Sequence, residues 1–446
     1  MASTFRQTRR SFLQSAAAAS LGLPFLSRTS RAAVAPSDVI RHASFGAGGM
    51  AKADLNQIIS HPRVKLVCVA EVDADRGAAL LKEHPEIRVY SDWRKMLEVE
   101  GDQLDTVNVS TPDHMHAPQA MSCLQRGIHV YCQKPLTRSI YESRRLMEVA
   151  REKKLVTQMG IQIHSHTAYK TAAAVIQAGT IGKIREVHTW SDKKWGDSNP
   201  LPDHSDPVPA NLDWNQWLGV AAERPFIGGG YYHPGNWRKR IDFGTGTFGD
   251  MGCHILDPVF TALQLTAPKT IRSVGAAPNQ WNWATDAIVN FVFPATPYTA
   301  GEALSLTWYD GDQKPPKEVA EQHAKGQTLP GQGSLFIGEK GSLILPHIAM
   351  PILLPADKFA DYKLPEVPGV SHWHEFIDAA AGMGKTSTQF DYAGPLTESV
   401  LLGCVATRFP KTTLEWDAAN MKFNVPEASA MVRPEYRKGW EVEGLS

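Results

Sequence analysis

The succession of apolar runs, turns and helical stretches predicts an α/β protein that opens with a doubly wound parallel sheet. Three observations carry this. A glycine turn, Phe45-Gly46-Ala47-Gly48-Gly49-Met50-Ala51, joins a first apolar run to a helical stretch. A second apolar run, residues 64–70, ends in Glu71. Strand and helix patterns then alternate, as helices on both faces of a parallel sheet require.

The first strand enters the turn from Val39, and it is expected to be short because Arg41 and His42 suit a central parallel strand poorly. The turn fits G-x-G-x-x-A. Gly46 makes the tight strand-to-helix turn, Gly48 lets the backbone approach a pyrophosphate, and Gly49 and Met50 lead to the small Ala51 that packs on the strand. The helix N-terminus then faces the phosphates. Glu71 lies 23 residues after Gly48, the spacing of an acid that binds the adenosine ribose hydroxyls, with Asp73 as the alternative. An acid there favours NAD over NADP by repelling a 2′-phosphate, and Arg76 is the neighbour able to alter that preference. Residues 106–110 form the next strand, ending in Thr111-Pro112-Asp113-His114-Met115-His116. A helix over 117–126 stops at Gly127. Residues 129–132 form another strand, ending in Gln133-Lys134-Pro135-Leu136. Ligands of such sheets sit at the carboxyl ends of the strands. Ser110, Thr111, Pro112, His116, Gln133 and Lys134 therefore join the glycine turn in one dinucleotide site.

The 446 residues suit two domains, and 43% apolar with 21% charged residues is a globular composition. The first 35 residues carry five arginines and no acid, which leaves 41 basic against 46 acidic residues in the remainder. That balance argues against nucleic acid as a partner, and no later run is long and apolar enough to span a bilayer. Thr8-Arg9-Arg10-Ser11-Phe12-Leu13-Gln14 follows the twin-arginine export pattern in all but its last position. An alanine-rich stretch and Ala33-Val34-Ala35 come after it. The expectation is export by the twin-arginine translocase to the periplasm or beyond. Five cysteines, an odd number mostly in apolar runs, fit a chain that folds under reducing conditions before export.

The glycine turn, Ser110-Thr111-Pro112-Asp113-His114-Met115-His116, the Lys-Pro loop, Gly249-Asp250-Met251-Gly252-Cys253-His254 and the tail Glu435-Tyr436-Arg437-Lys438-Gly439-Trp440 together resemble the Gfo/Idh/MocA family of sugar and polyol oxidoreductases, in its exported bacterial branch. The resemblance implies a Rossmann domain over residues 36–160, after a signal segment 1–35. Residues 161–446 would form an α/β domain with a large, open, mostly antiparallel sheet that often serves to build dimers or tetramers. It also implies a cis Lys134–Pro135 bond, catalytic Lys, Asp and His at Lys134, Asp250 and His254, and a carbohydrate as the small-molecule partner. The family usually reads Glu-Lys-Pro, where this chain has Gln133.

Oxidation of an alcohol needs a base for the hydroxyl proton beside the hydride acceptor. Asp250 and His254, four apart, share one face if residues 249–257 open a helix. His254 is then the base, Lys134 stabilises the alkoxide, and Asp250 holds a substrate hydroxyl or orients the imidazole. The plainer alternative makes Asp250 a helix cap and His254 a core residue. Residues 190–248 are rich in aromatic and planar polar groups, as sugar sites are. His233, Trp237 and Arg238 are the expected substrate contacts, with Gln162 at the end of a strand over 156–163; alternatively the tryptophans pack a small core of their own. His164, His166 and His204 match no metal spacing, and no metal is expected. Further strands are expected at 288–293, 303–308 and 334–337, helices at 372–381 and 396–406, and a polar loop at 310–330 that could be a lid or a subunit contact. Since the periplasm supplies no exchangeable NAD pool, the cofactor should travel tightly bound. Net sugar oxidoreduction leads, a glycosidase working by transient oxidation and elimination is the alternative, and a non-catalytic sugar-binding protein is the third reading.

Overall fold

The computed structural model describes residues 38–446, which form one compact unit. The export segment expected over residues 1–35 lies outside the described residues. The chain begins with β1 (Ile40–Phe45), α1 (Met50–Ile59), β2 (Val64–Ala70), α2 (Ala74–Glu83), β3 (Arg88–Tyr90), α3 (Trp93–Glu100), β4 (Thr106–Val109), α4 (His116–Gln125), β5 (His129–Gln133), α5 (Ile140–Glu152) and β6 (Thr157–Gly160). These six strands pair in the order β3-β2-β1-β4-β5-β6, all parallel, so the order reverses beside β1. Loops leaving β1 and β4 diverge at that point and open a crevice. Local signals agree with the fold. Asp73 and Asp92 cap α2 and α3, and Ser139 and Glu142 form a reciprocal capping box on α5.

β1 is six residues long, so Arg41 and His42 do not shorten it. His42 is fully buried, yet its two ring nitrogens meet Thr106 Oγ1 and Asn108 Oδ1 of β4, each at 2.9 Å. Each such bond contributes about 1 kcal/mol net, so the neighbouring strand makes the polar residue tolerable. Arg41 lays its guanidinium on the Gln103 carbonyl and side chain.

The second half comprises α6 (Thr167–Gln177), β7 (Ile184–Ser191), α7 (Trp214–Leu218), α8 (Gly246–Leu263), β8 (Thr270–Ser273), β9 (Ile288–Pro294), β10 (Ala303–Asp310), α9 (Lys317–His323), β11 (Gln332–Gly338), β12 (Ser342–Pro346), β13 (Ile352–Leu354), α10 (His372–Ala380), α11 (Phe390–Arg408), β14 (Leu414–Asp417), β15 (Lys422–Phe423) and α12 (Pro426–Ala430). Its nine strands run β13-β12-β11-β7-β10-β9-β8-β14-β15, antiparallel except for β7 with β10. The large open sheet is therefore as expected. The segment 310–330 is not the open loop the composition suggested. It contains α9 and closes over the sheet, where Val319, Ala324 and Leu329 pack with Trp190, Tyr309 and Leu335. The five cysteines are all free and buried.

The two sheets share one hydrophobic core, and the later chain returns to complete the first sheet. Thr388 exchanges backbone and hydroxyl bonds with Met159, each 2.9 Å, and Phe390 N–H donates to Thr157 Oγ1 at 3.0 Å. Residues 386–390 thus cover the outer edge of β6. Tyr436 donates to Glu142 at 2.6 Å, fastening the tail to α5.

Candidate active site

A cleft of about 550 Å³ opens at the carboxyl ends of the parallel strands. One wall comes from the glycine turn. Gly46 has φ +96°, and a Cβ there would lie 2.9 Å from Ala51 Cβ and 3.1 Å from the Ser110 carbonyl oxygen. At Gly48 a Cβ would lie 2.4 Å from Arg76 Cδ, so the backbone there is open only because it carries no side chain. No side chain caps the N-terminus of α1, so that end of the helix is open to an anionic ligand. Glu71 ends β2 at the same wall, accepting from Ala47 N–H at 2.7 Å and Asp73 N–H at 3.0 Å. This bare, amide-rich cradle beside an acid fits the pyrophosphate and ribose of a dinucleotide.

Of the residues expected to hold the cofactor, Gly46, Gly48, Gly49, Met50, Glu71, Ser110, Thr111, Pro112, His116, Gln133 and Lys134 all line this cleft. Asp73 does not. Its carboxylate is taken by His233 Nε2 at 3.0 Å, by Arg76 at 3.3 Å and by Asn211 at 3.1 Å, and it caps α2. Burial would raise its pKa, but His233 and these donors hold it below the ordinary value. His116 joins two strand-end loops, its ring nitrogens 2.7 Å from the Pro135 carbonyl and 2.8 Å from the Thr111 carbonyl. Burial pulls its pKa down to about 4, against the two carbonyls.

Gln162, His233, Trp237, Arg238 and His254 line the same cleft, so the expected substrate and cofactor groups meet. Lys134–Pro135 is cis. Lys134 Nζ donates to Asp250 Oδ1 at 2.6 Å and to the Asp250 carbonyl at 2.8 Å. Arg238 Nε reaches the same Oδ1 at 3.2 Å, and its guanidinium lies 4.3 Å over the Trp237 ring. Asp250 is therefore not a cap: it begins the second turn of α8, facing two cations. Burial alone would raise its pKa, but Lys134 and Arg238 outweigh it and hold the carboxyl well below its usual range. His254, one turn on, is held well below the ordinary imidazole value by burial and then by Lys134 and His347. It is neutral at working pH, and its Nδ1 has no hydrogen-bond partner.

The aromatic stretch divides between the two readings. Trp217, Phe226, Tyr232, Trp237 and Phe243 pack a small core of their own, with Trp214 stacked on Trp217 at 4.8 Å. Such pairs contribute about 1 kcal/mol each beyond burial. Trp217 and Trp237 also line the cleft. The three candidate metal histidines lie in different settings. His164 bonds to Asp257 at 2.8 Å, His166 caps α6, and His204 lies beside Asp206.

Sequence reasoning missed several residues here. Asp113 lines the cleft, accepts from Thr245 Oγ1 at 2.7 Å and has its pKa pushed up to about 7 by burial. His347 follows β12 and places its ring 5.8 Å from His254, with Nδ1 2.8 Å from the Tyr169 hydroxyl. No local pattern marks His347, since folding alone brings it there. Asp54 had a readable signal, an acid on the apolar stripe of α1 formed by Ala51, Leu55 and Ile58.

Comparison with known proteins agrees with this geometry. Residues 40–161 match the NAD-binding Rossmann-fold model of the Gfo/Idh/MocA oxidoreductases. Residues 177–322 match the C-terminal α/β-domain model of the same family. Levoglucosan dehydrogenase of Pseudarthrobacter phenanthrenivorans is 23% identical over 189 residues, 42% of this chain and 40% of that protein. The scyllo-inositol 2-dehydrogenase (NAD(+)) of Bacillus subtilis is 31% identical over 128 residues, 29% of this chain and 37% of that protein. The matched region thus spans less than half the length of these curated relatives. The WlbA dehydrogenase of Bordetella pertussis, solved with NADH and UDP-GlcNAcA, shares the fold. Its TM-score is 0.58 at 15% identity, over 85% of this chain and 99% of that one.

Proposed function

The chain belongs to the Gfo/Idh/MocA oxidoreductase family, and from that premise we propose that it oxidises or reduces one hydroxyl-bearing carbon of a sugar, sugar derivative or polyol with NAD. The observation that carries the reading is the donor count at Lys134. An ammonium has three donors, and Asp250 takes two of them through its carbonyl and carboxylate. The third remains for a substrate oxygen beside the cofactor wall. Bound NAD supplies the hydride acceptor. Lys134 holds the reacting oxygen and favours its alkoxide. Neutral His254, whose ring lines the cleft, takes the hydroxyl proton. Asp250 keeps Lys134 and Arg238 oriented, and Arg238 on Trp237 offers a planar donor above an apolar face for the rest of the ring. The named substrates of levoglucosan dehydrogenase and scyllo-inositol 2-dehydrogenase support this substrate class.

The Thr8–Gln14 pattern supports export by the twin-arginine translocase as a folded, NAD-loaded protein of the exported branch. The open second sheet supports assembly of like subunits. The test is to release and weigh any dinucleotide carried by the purified protein, then present a panel of sugars and polyols and follow nicotinamide absorbance. Reduction by a free sugar is the expected outcome. A chain that binds no dinucleotide, or that cleaves aryl glycosides without reducing any free sugar, would overturn the reading.

A further inference from the structure

One buried acid has no part in the chemistry above. Asp54 is fully buried on α1, between the glycine turn and the strand ends. Its Oδ1 accepts from Trp373 Nε1 at 2.9 Å, the Tyr131 hydroxyl at 3.3 Å and Gln162 Nε2 at 3.4 Å. Its Oδ2 accepts from Ser110 Oγ and Gln133 Nε2, both at 2.8 Å. These donors come from the ends of β4, β5 and β6 and from α10, so one carboxylate ties together elements that are distant in sequence. Burial raises its pKa and the hydrogen bonds pull it back. Trp373 and the two amide groups present only N–H to it, and with the Ser110 and Tyr131 hydroxyls donating as well, an anion accepts from all five. A protonated carboxyl could give its O–H only to one of the two hydroxyls, turning that donor into an acceptor.

The network continues to the chemistry. Gln133 Oε1 accepts from Lys134 N–H at 3.2 Å, so both ends of that amide are committed, one to Asp54 and one to the Lys-Pro loop. Gly160 leaves room for this: a Cβ there would lie 2.7 Å from Gln133 Nε2 and 2.9 Å from the Tyr131 hydroxyl. Ser110, Gln133 and Gln162 also line the cleft.

We propose that Asp54 is a positioning residue, a buried anion that acts through the Gln133 amide to set the Lys134 loop and the adjoining end of the dinucleotide cleft. Without the charge, the amide is free to turn, and its carbonyl no longer has to face Lys134 N–H. The inference rests on the dinucleotide site described above. The titratable groups facing Asp54 are Tyr131, Cys132 and, beyond Tyr131, His372. All three are neutral across the working range, because burial raises the first two and lowers the third to about 3.

An exchange of acid and amide tests it, read by calorimetric titration of NADH into the full chain across neutral and mildly alkaline pH. D54N should weaken NADH about tenfold, since an amide cannot accept from all five donors. Q133E places a second carboxylate within one hydrogen bond of Asp54. Its affinity should fall about tenfold as pH rises and the shared proton leaves. D54N/Q133E should return to within about threefold of the unaltered chain with a flat pH profile, because an amide–carboxylate pair is restored in reverse. A purely structural Asp54 would give neither the pH dependence nor the rescue. Wild-type affinity in Q133E at all pH values, or a double variant as weak as the weaker single or unable to fold, overturns the proposal. If D54N alone does not fold, Q133E and the double variant still decide. No NADH binding by the unaltered chain would remove the dinucleotide premise itself.

Discussion

Along the cofactor wall, Gly46, Ser110, Gln133 and Gln162 each close or follow a parallel strand, within about 120 residues of chain. Across the cleft, His233, Trp237 and Arg238 come from a stretch whose only regular pieces are α7 and a 3-10 turn at Asn236–Lys239. The first wall is held by hydrogen bonds among neutral groups, backbone and the buried carboxylates of Glu71 and Asp54. The second is held by aromatic packing and by two cations sharing the Asp250 carboxylate. A wall made of backbone and strand ends suits a constant partner, and a wall of side chains on irregular chain suits a partner that differs between relatives.

If the two walls are separable, substitutions should sort by readout. Lys134→Ala, at the seam, should lower turnover about a thousandfold, the scale of losing an oxyanion donor, with NADH affinity changed far less. Loss of NADH binding instead would place Lys134 on the cofactor wall. His254→Asn should cost about a hundredfold in turnover, the lower end for a general base, and remove the acidic limb of the pH profile. An unchanged profile would exclude His254 as the base. Gly46→Val should weaken NADH roughly 30-fold through about 2 kcal/mol of backbone strain, and leave substrate KM alone. Arg238→Met should do the reverse, raising KM about tenfold with NADH affinity intact; a parallel fall in NADH affinity would merge the walls.

The smallest effect belongs to Asp113. Its folded pKa, about 7, lies above the ordinary 3.8, so the folded chain holds a proton that the unfolded chain releases. The penalty is absent below about pH 4 and grows as pH rises towards 7. Asp113→Asn, which keeps an acceptor for Thr245, should therefore raise the melting temperature at neutral pH and leave it unchanged in acid. Equal shifts at both would mean that Asp113 does not titrate with folding.

The same division explains what could be read before folding. The glycine turn, Glu71 and the strand-end loops are local patterns with a known geometry, and the structure gathers them as expected. Asp250 and His254 were readable as one helix face. Asp73 misled because its spacing also suits a helix cap, the use it has. Arg41 and His42 misled because their partners, Gln103, Thr106 and Asn108, belong to another segment. His347 gave no signal, as its place beside His254 depends on β12 folding back from the far sheet. The polar composition of 310–330 hid α9, whose apolar contacts are only Val319, Ala324 and Leu329.

The cover that residues 386–390 lay over β6 has a bearing on synthesis. Thr388 lies 229 residues beyond Met159, so a ribosome that has delivered the first six strands has released a sheet with a bare edge. Until residues 386–390 emerge, that edge lacks its cover and is a template for mispairing. A gene fragment ending near residue 161 would consequently make an adhesive, incomplete product. Completion of that edge by residues 386–390 is therefore a late step of assembly.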